Sequence, residues 1–273
     1  MSVHVRVLPG LAGTPAIWEQ TLAELARIRP DVTAQVADVP WHAEAGQAWA
    51  EPGWDPQQAT SRLVRSGEVL VAHSFAASLT LAHLCARGVV QPRAVVLVSP
   101  FYRATAREFT WPTLEHFLTR FDEFLETGLV AQASHEIDPE IRIAMARFVR
   151  DRMGAYGWMA FMSAYLATPA LDLAAATVPV HVVYGTQDRV APPADAVTLA
   201  GLLPRAVLHP FEAADHFPMT ADPARTAAVV REAIEASEHR TVVHHPAPHT
   251  PHGAVRPQPP VPQGRRQPRK ELT

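Results

Sequence analysis

The sequence predicts an α/β protein: a mostly parallel sheet flanked by helices, with a helical cap inserted before the last two strands. Three observations carry this expectation. Short β-branched runs alternate with helical patterns, as βαβ units require. The runs are almost continuously aliphatic, as expected of strands covered on both faces. One long segment, from about residue 104 to 176, breaks this rhythm and reads as helix throughout.

The candidate strands in chain order are VHVRVLP, VTAQVADVP, EVLVAHS, AVVLVSP, VPVHVVYG and RAVLHPF. Helices are expected to begin at Asp55-Pro56 and Asp222-Pro223, where an N-capping carboxylate precedes a proline suited to the first helical position. Gly88 stands where a helix running from Phe75 needs a left-handed C′ residue. The interrupting segment contains TLEHFLTRFDEFLETGLV and PEIRIAMARFVRDRMGAYGWMAFMSAYLA, both helical in pattern. This divides the chain into a body of residues 1–103 and 177–238, a helical cap of 104–176, and a tail of 239–273.

With 273 residues, 48% of them hydrophobic, the chain can bury one large α/β core. The opening MSVHVRVLPG has no basic stretch leading into a long apolar run, and no window of about 18 apolar residues occurs. A cytoplasmic protein that does not enter membranes is expected. The single cysteine, Cys85, excludes an intramolecular disulfide or a Cys-rich metal site, and its apolar neighbours suit a buried core residue. The tail holds eight of the 26 prolines and six Lys/Arg against one Asp/Glu. Removing its net +5 from the whole-chain −3 leaves about −8 on residues 1–238, which argues against a nucleic-acid partner. Too little apolar surface is present to order this tail. Its His244, His245, His249 and His252 lack a scaffold to fix a metal geometry, and its PQPPVP run reads as solvated chain. No metal site is expected.

Chemistry is suggested first by EVLVAHSFAAS, where an aliphatic strand runs through Ala72-His73-Ser74-Phe75-Ala76 directly into a helix. A serine on so sharp a turn needs small residues two positions either side, and alanine occupies both. A serine hydroxyl needs a base to take its proton, and that base needs a carboxylate to fix its tautomer. Asp188 follows the strand VPVHVVYG, and His216 lies in Glu212-Ala213-Ala214-Asp215-His216-Phe217-Pro218 after the strand RAVLHPF. Each alone has a plainer reading as a turn serine, a turn aspartate or a surface histidine. Their joint occurrence in the order Ser, Asp, His, each just past a strand, is far more specific.

In these features the chain resembles the α/β-hydrolase fold family over roughly residues 3–236. The family's nucleophile elbow maps to Ser74, its acid to Asp188 within YGTQDRVAPP, and its base to His216 within ADHFPMTADP. Asp215 stands where the family often has glycine. The resemblance implies an α/β-hydrolase fold, a catalytic triad, and an oxyanion hole made by the backbone amides of Phe75 and Leu11, the latter within Leu8-Pro9-Gly10-Leu11-Ala12-Gly13. It implies cleavage of an ester or thioester, with carbon–carbon hydrolysis as a variant. Serine at the elbow argues against the aspartate-dependent halide and epoxide chemistries. The alternatives are a cofactor-free lyase or cyclase on the same fold, and a non-catalytic ligand-binding protein.

No dinucleotide or phosphate-binding glycine motif occurs, so no cofactor is expected. The expected partner is a small, largely apolar substrate, with Trp111, Phe121, Trp158 and Met162 of the cap as candidate substrate-binding residues. Trp41, Trp49 and Trp54 form a second aromatic group, with His42 beside them.

Overall fold

The computed structural model describes residues 3–42, 53–133 and 136–242. Trp49 and residues 243–273 of the tail, including His244, His245, His249 and His252, lie outside the described residues. Six strands form one sheet in the order β2-β1-β3-β4-β5-β6, every neighbouring pair parallel. They are β1 (Val3–Leu8), β2 (Val32–Val36), β3 (Val69–His73), β4 (Ala94–Val98), β5 (Val180–Gly185) and β6 (Ala206–Phe211). Each of the six aliphatic runs is therefore a strand, although β2 ends at Val36 and leaves Ala37–Pro40 outside the sheet. β3 and β4 are buried at every residue, which explains why their sequences do not alternate.

The helices are α1 (Glu19–Ile28), α2 (Pro56–Leu63), α3 (Phe75–Cys85), α4 (Trp111–Thr119), α5 (Phe121–Gln132), α6 (Pro139–Leu166), α7 (Pro193–Leu202), α8 (Pro218–Ala221) and α9 (Pro223–Val242). Asp55 caps α2 as expected, accepting from the amides of Gln57 and Gln58. Asp222 does the same for α9 through the Arg225 amide at 2.9 Å. Gly88 corrects one expectation. It has φ +72, but α3 ends at Cys85, so Gly88 shapes the turn after the cap residue Ala86.

Two apolar clusters sandwich the sheet. One gathers Trp41, Phe75, Leu79, Leu199 and the aromatic residues Phe101, Phe117, Phe161 and Tyr165. The other joins Trp18 and Leu25 with Phe211, Met219, Val230 and Ile234 beneath α1 and α9. α3 is buried on almost every face, consistent with its apolar composition. No helix among the described residues is long and apolar enough to cross a membrane.

Helices α4, α5 and α6 occupy the stretch between β4 and β5, where the sequence pattern places helices. The long apparent helix α6 is kinked at Gly154, whose φ of 63° and ψ of −179° interrupt it. Its C-terminal end is tied to the body by Tyr165, whose hydroxyl donates to Asp195 Oδ2 at 2.7 Å. The Tyr102 amide donates to the same oxygen at 3.1 Å, and Arg103 Nε donates to the Tyr165 hydroxyl at 2.9 Å.

Candidate active site

The strand order reverses direction around β1, with β2 on one side and β3 on the other. In open α/β sheets ligands bind outside the carboxyl ends of strands at such a switch point. The chain leaves β1 into Pro9–Gly13 and β3 into Ser74, so both segments meet there.

Ser74 forms the whole connection between β3 and α3, with φ 57° and ψ −120°. A non-glycine residue held there stores about 1–3 kcal/mol, which the surroundings must offset. Its amide donates to the Val98 carbonyl at 2.8 Å, and its carbonyl accepts from Ala77 and Ser78 at 2.9 and 3.2 Å. Ala72 and Ala76 are fully buried, so larger side chains at either position would collide with the packed turn. On the far side, a Cβ added at Gly10 would lie 2.8 Å from His73 Nδ1 and 3.0 Å from Ser74 Cβ. Glycine is what lets the loop after β1 lie against the serine.

Asp188 stands in the loop after β5, its side chain fully buried. Oδ1 accepts from the amides of Val190 and Ala191 at 2.8 and 2.9 Å, which fixes the rotamer and leaves Oδ2 for another partner. That partner is His216, whose Nδ1 donates to Oδ2 at 2.8 Å. The opposite ring nitrogen, Nε2, lies 2.8 Å from Ser74 Oγ. With the proton on Nδ1 held by the carboxylate, the Nε2 lone pair is directed at the serine hydroxyl. Three side chains from loops after β3, β5 and β6 thus form one continuous hydrogen-bonded row.

The loop bearing His216 adopts its conformation without glycine. The left-handed position in it is Ala213, with φ 59°, while Asp215 accepts from the Phe217 amide through Oδ1 at 2.9 Å. Aspartate before the histidine is accommodated because the unusual backbone angle falls two residues earlier.

Two residues that sequence reasoning passed over hold this loop from below. His73 donates from Nε2 to the His216 carbonyl at 3.0 Å, and Ser99 Oγ donates to the same oxygen at 3.1 Å. Burial, reinforced by the neighbouring His216, holds the His73 imidazole well below the ordinary histidine range, so it stays neutral. The available signal was position: each is the polar residue ending an aliphatic strand run. Phe101 and Phe217 wall the ring of His216 at centroid distances of 5.8 and 5.2 Å.

A cavity of about 460 Å³ opens above Ser74 and His216. Phe121, Phe124, Leu125, Leu129, Val149 and Phe161 contribute to its walls, and Gly10 and Leu11 reach it from the loop after β1. That loop is held by Trp41, whose Nε1 donates to the Pro9 carbonyl and whose own carbonyl accepts from Ala12, both at 2.9 Å. The Ala12 amide is thereby taken by Trp41, and the Gly13 amide donates to the Gly10 carbonyl at 3.0 Å. Phe75 begins α3, where an amide has no acceptor within its own helix.

Of the four aromatic and Met residues expected around a substrate, Phe121 alone lines this cavity. Trp111 is 80% exposed at the start of α4, because the first turn of that helix faces away from the body. Trp158 lines a separate surface depression with Leu118 and Arg150, and Met162 is packed in the core. Trp41 does contact Trp54, while His42 sits beside Asp38, 3.3 Å away, outside the cavity.

The sequence pattern described as the alpha/beta hydrolase family matches residues 7–229. The chain belongs to the alpha/beta hydrolase family. It is thereby an enzyme, with hydrolysis as its class of chemistry. Solved structures similar to it include a thermophilic esterase from Thermogutta terrifontis, at 17% identity and a TM-score of 0.55, covering 86% of this chain and 90% of that one. A bromoperoxidase from Bacillus anthracis is similar at 13% identity and a TM-score of 0.61, covering 86% and 92%. A haloalkane dehalogenase loop variant from Bradyrhizobium elkanii is similar at 18% identity and a TM-score of 0.59, covering 89% and 92%. No curated protein matches the sequence. Three chemistries on one fold mean that the reaction must be argued from the residues of the site.

Proposed function

We propose that this α/β hydrolase is a serine hydrolase that cleaves an ester or thioester of a small, largely apolar substrate. The observation that carries the reading is the row Ser74 Oγ, His216 Nε2, His216 Nδ1, Asp188 Oδ2, with 2.8 Å at each hydrogen bond. His216 takes the hydroxyl proton as Ser74 attacks the carbonyl carbon. Asp188 holds the ring in the tautomer that can accept this proton and stabilises the imidazolium that forms. The resulting oxyanion is received by the amides of Phe75 and Leu11, the first at a helix N-terminus where partial positive charge gathers. His216 then returns the proton to the leaving group, and water, deprotonated by the same ring, releases the acyl group from Ser74.

In this reading residues 1–103 and 177–238 form the catalytic body, and 104–176 form a cap whose apolar side chains select the acyl group. A cavity of about 460 Å³ is within the usual range for a small-molecule site. A serine nucleophile separates this chemistry from that of an aspartate-dependent dehalogenase.

The test is turnover of p-nitrophenyl esters and acyl thioesters of graded chain length by the wild type and by Ser74→Ala. Turnover that rises with apolar chain length until the cavity is filled, and falls on the order of 10⁶-fold in the variant, is the expected result. A well-folded wild type that hydrolyses none of these substrates would remove the proposal.

A further inference from the structure

We propose a second site, remote from the triad, in which His181, His209 and Glu232 bind a divalent metal ion of the zinc type. His181 lies on β5 and His209 on β6, and the register pairs His181 with Val207 and Val183 with His209. Alternate residues of a strand share a face, so both imidazoles project from the side of the sheet that α9 covers. Glu232 lies on α9. One side-chain donor atom from each residue falls within 4.8 Å of the other two. The histidine rings are stacked at 13°, with His181 Nδ1 and His209 Nε2 2.9 Å apart.

The donor chemistry points to the ion class. Two imidazoles and one carboxylate form a borderline-hard set suited to Zn²⁺ or Co²⁺, whereas Mg²⁺ prefers oxygen ligands. With metal–ligand distances of about 2.0–2.2 Å, tetrahedral donors lie roughly 3.3 Å from one another. The histidine pair is slightly tighter than that and the full set somewhat wider, so a rotation of the Glu232 side chain closes the site. Water completes the coordination, as three protein ligands leave a position open. Arg225, on α9 two turns before Glu232, is engaged elsewhere: Nη2 donates to the Pro210 carbonyl at 2.7 Å, and the group lies 4.4 Å over the Phe211 ring.

The location argues against a part in the reaction at Ser74. His181 is four residues before the end of β5, roughly 13 Å down the strand from the edge that carries Asp188. A metal there would clamp the edge strand β6 and its neighbour β5 to α9, without touching the nucleophile.

Thermal unfolding of the full-length, untagged chain in zinc and in magnesium tests this, with His209→Ala and Glu232→Gln alongside. An ion that binds the folded state alone raises Tm. At zinc a hundredfold above its Kd, the rise expected for the wild type is on the order of 5 °C, with none in magnesium. Both variants keep every tail histidine, so metal bound there is common to all three proteins and cancels. Loss of most of the zinc response in each variant supports the site. Glu232→Gln, a near-isosteric change on the outer helix, keeps the test usable if His209→Ala unfolds. A wild type indifferent to zinc, or variants that respond as the wild type does, would overturn the proposal and leave a hydrogen-bonded histidine pair. Tetrahedral Co²⁺ absorption in the wild type, lost in Glu232→Gln, is the expected spectroscopic counterpart; a cobalt spectrum unchanged by the substitution would contradict it.

Discussion

Gly185→Ala is the smallest change expected to dismantle the proposed triad without touching any member of it. Gly185 ends β5, just where the loop carrying Asp188 crosses the loop carrying His216. A Cβ at this position would stand 2.0 Å from the Asp215 carbonyl oxygen and 2.3 Å from that of Ala214. Both obstacles are backbone atoms, so no rotamer change relieves them. To reach even a tight contact of about 3 Å the 213–216 loop must retreat by about 1 Å, at an overpacking cost of about 1–3 kcal/mol. The same loop is pinned from the other side, because the Gln187 amide donates to the Ala214 carbonyl at 2.9 Å. A retreat of this size stretches the 2.8 Å bond between His216 Nδ1 and Asp188 Oδ2 beyond hydrogen-bonding range. Misplacement by 1 Å costs about 10²-fold, and complete loss of the orienting carboxylate about 10⁴-fold. The expected fall in kcat/KM therefore lies between those limits, measured on a p-nitrophenyl ester, with circular dichroism establishing that the variant is folded. Turnover within about twofold of wild type, with Tm unchanged, would refute the argument that these two loops are in obligatory contact.

Two other outcomes follow from features away from Ser74. Gly201, in the last turn of α7, has nothing within 4 Å of an added Cβ and no left-handed backbone angle. Gly201→Ala should accordingly raise stability by about 0.5–1 kcal/mol in denaturant unfolding and leave turnover alone. Asp195 is buried where Tyr165 meets the body, and that burial pushes its carboxyl up to about 6 from 3.8. The fold then binds the Asp195 proton more tightly than the unfolded chain does. Its stability contribution is full below pH 4 and is lost as pH rises through 6, by about 3 kcal/mol. Urea unfolding across pH 4–7 should show Asp195→Asn gaining on the wild type over this window, and a difference independent of pH would count against the assignment.

The central strands β3 and β4 were legible because each is an aliphatic run buried at every residue, while β2 and β6, at the edges of the sheet and only partly buried, carry a weaker pattern. Asp55-Pro56 and Asp222-Pro223 were legible for a local reason, since a cap and its proline act within one helical turn. The candidate triad was readable from chain order and strand ends, features that survive without three-dimensional information. What covers a helix does not survive in this way. Trp111 and Phe121 both read as cap aromatics, and only the packing of α4 and α5 separates an 80% exposed ring from one that lines the cavity. His73 and Ser99 were hidden because their partner is a backbone carbonyl more than 100 residues distant. The approach of His181 to His209 depends on the register of β5 against β6, which neither strand encodes alone. The left-handed angle at Ala213 was equally hidden, because glycine is the usual marker of such a position and none is present.

The central claim, that Ser74 is an activated nucleophile, is tested most directly by a fluorophosphonate probe followed by peptide mass spectrometry. A single phosphonyl adduct on the peptide containing Ser74, absent from Ser74→Ala, is the predicted result. Folded wild-type protein that stays unmodified, or that carries the adduct on a different serine, would contradict it.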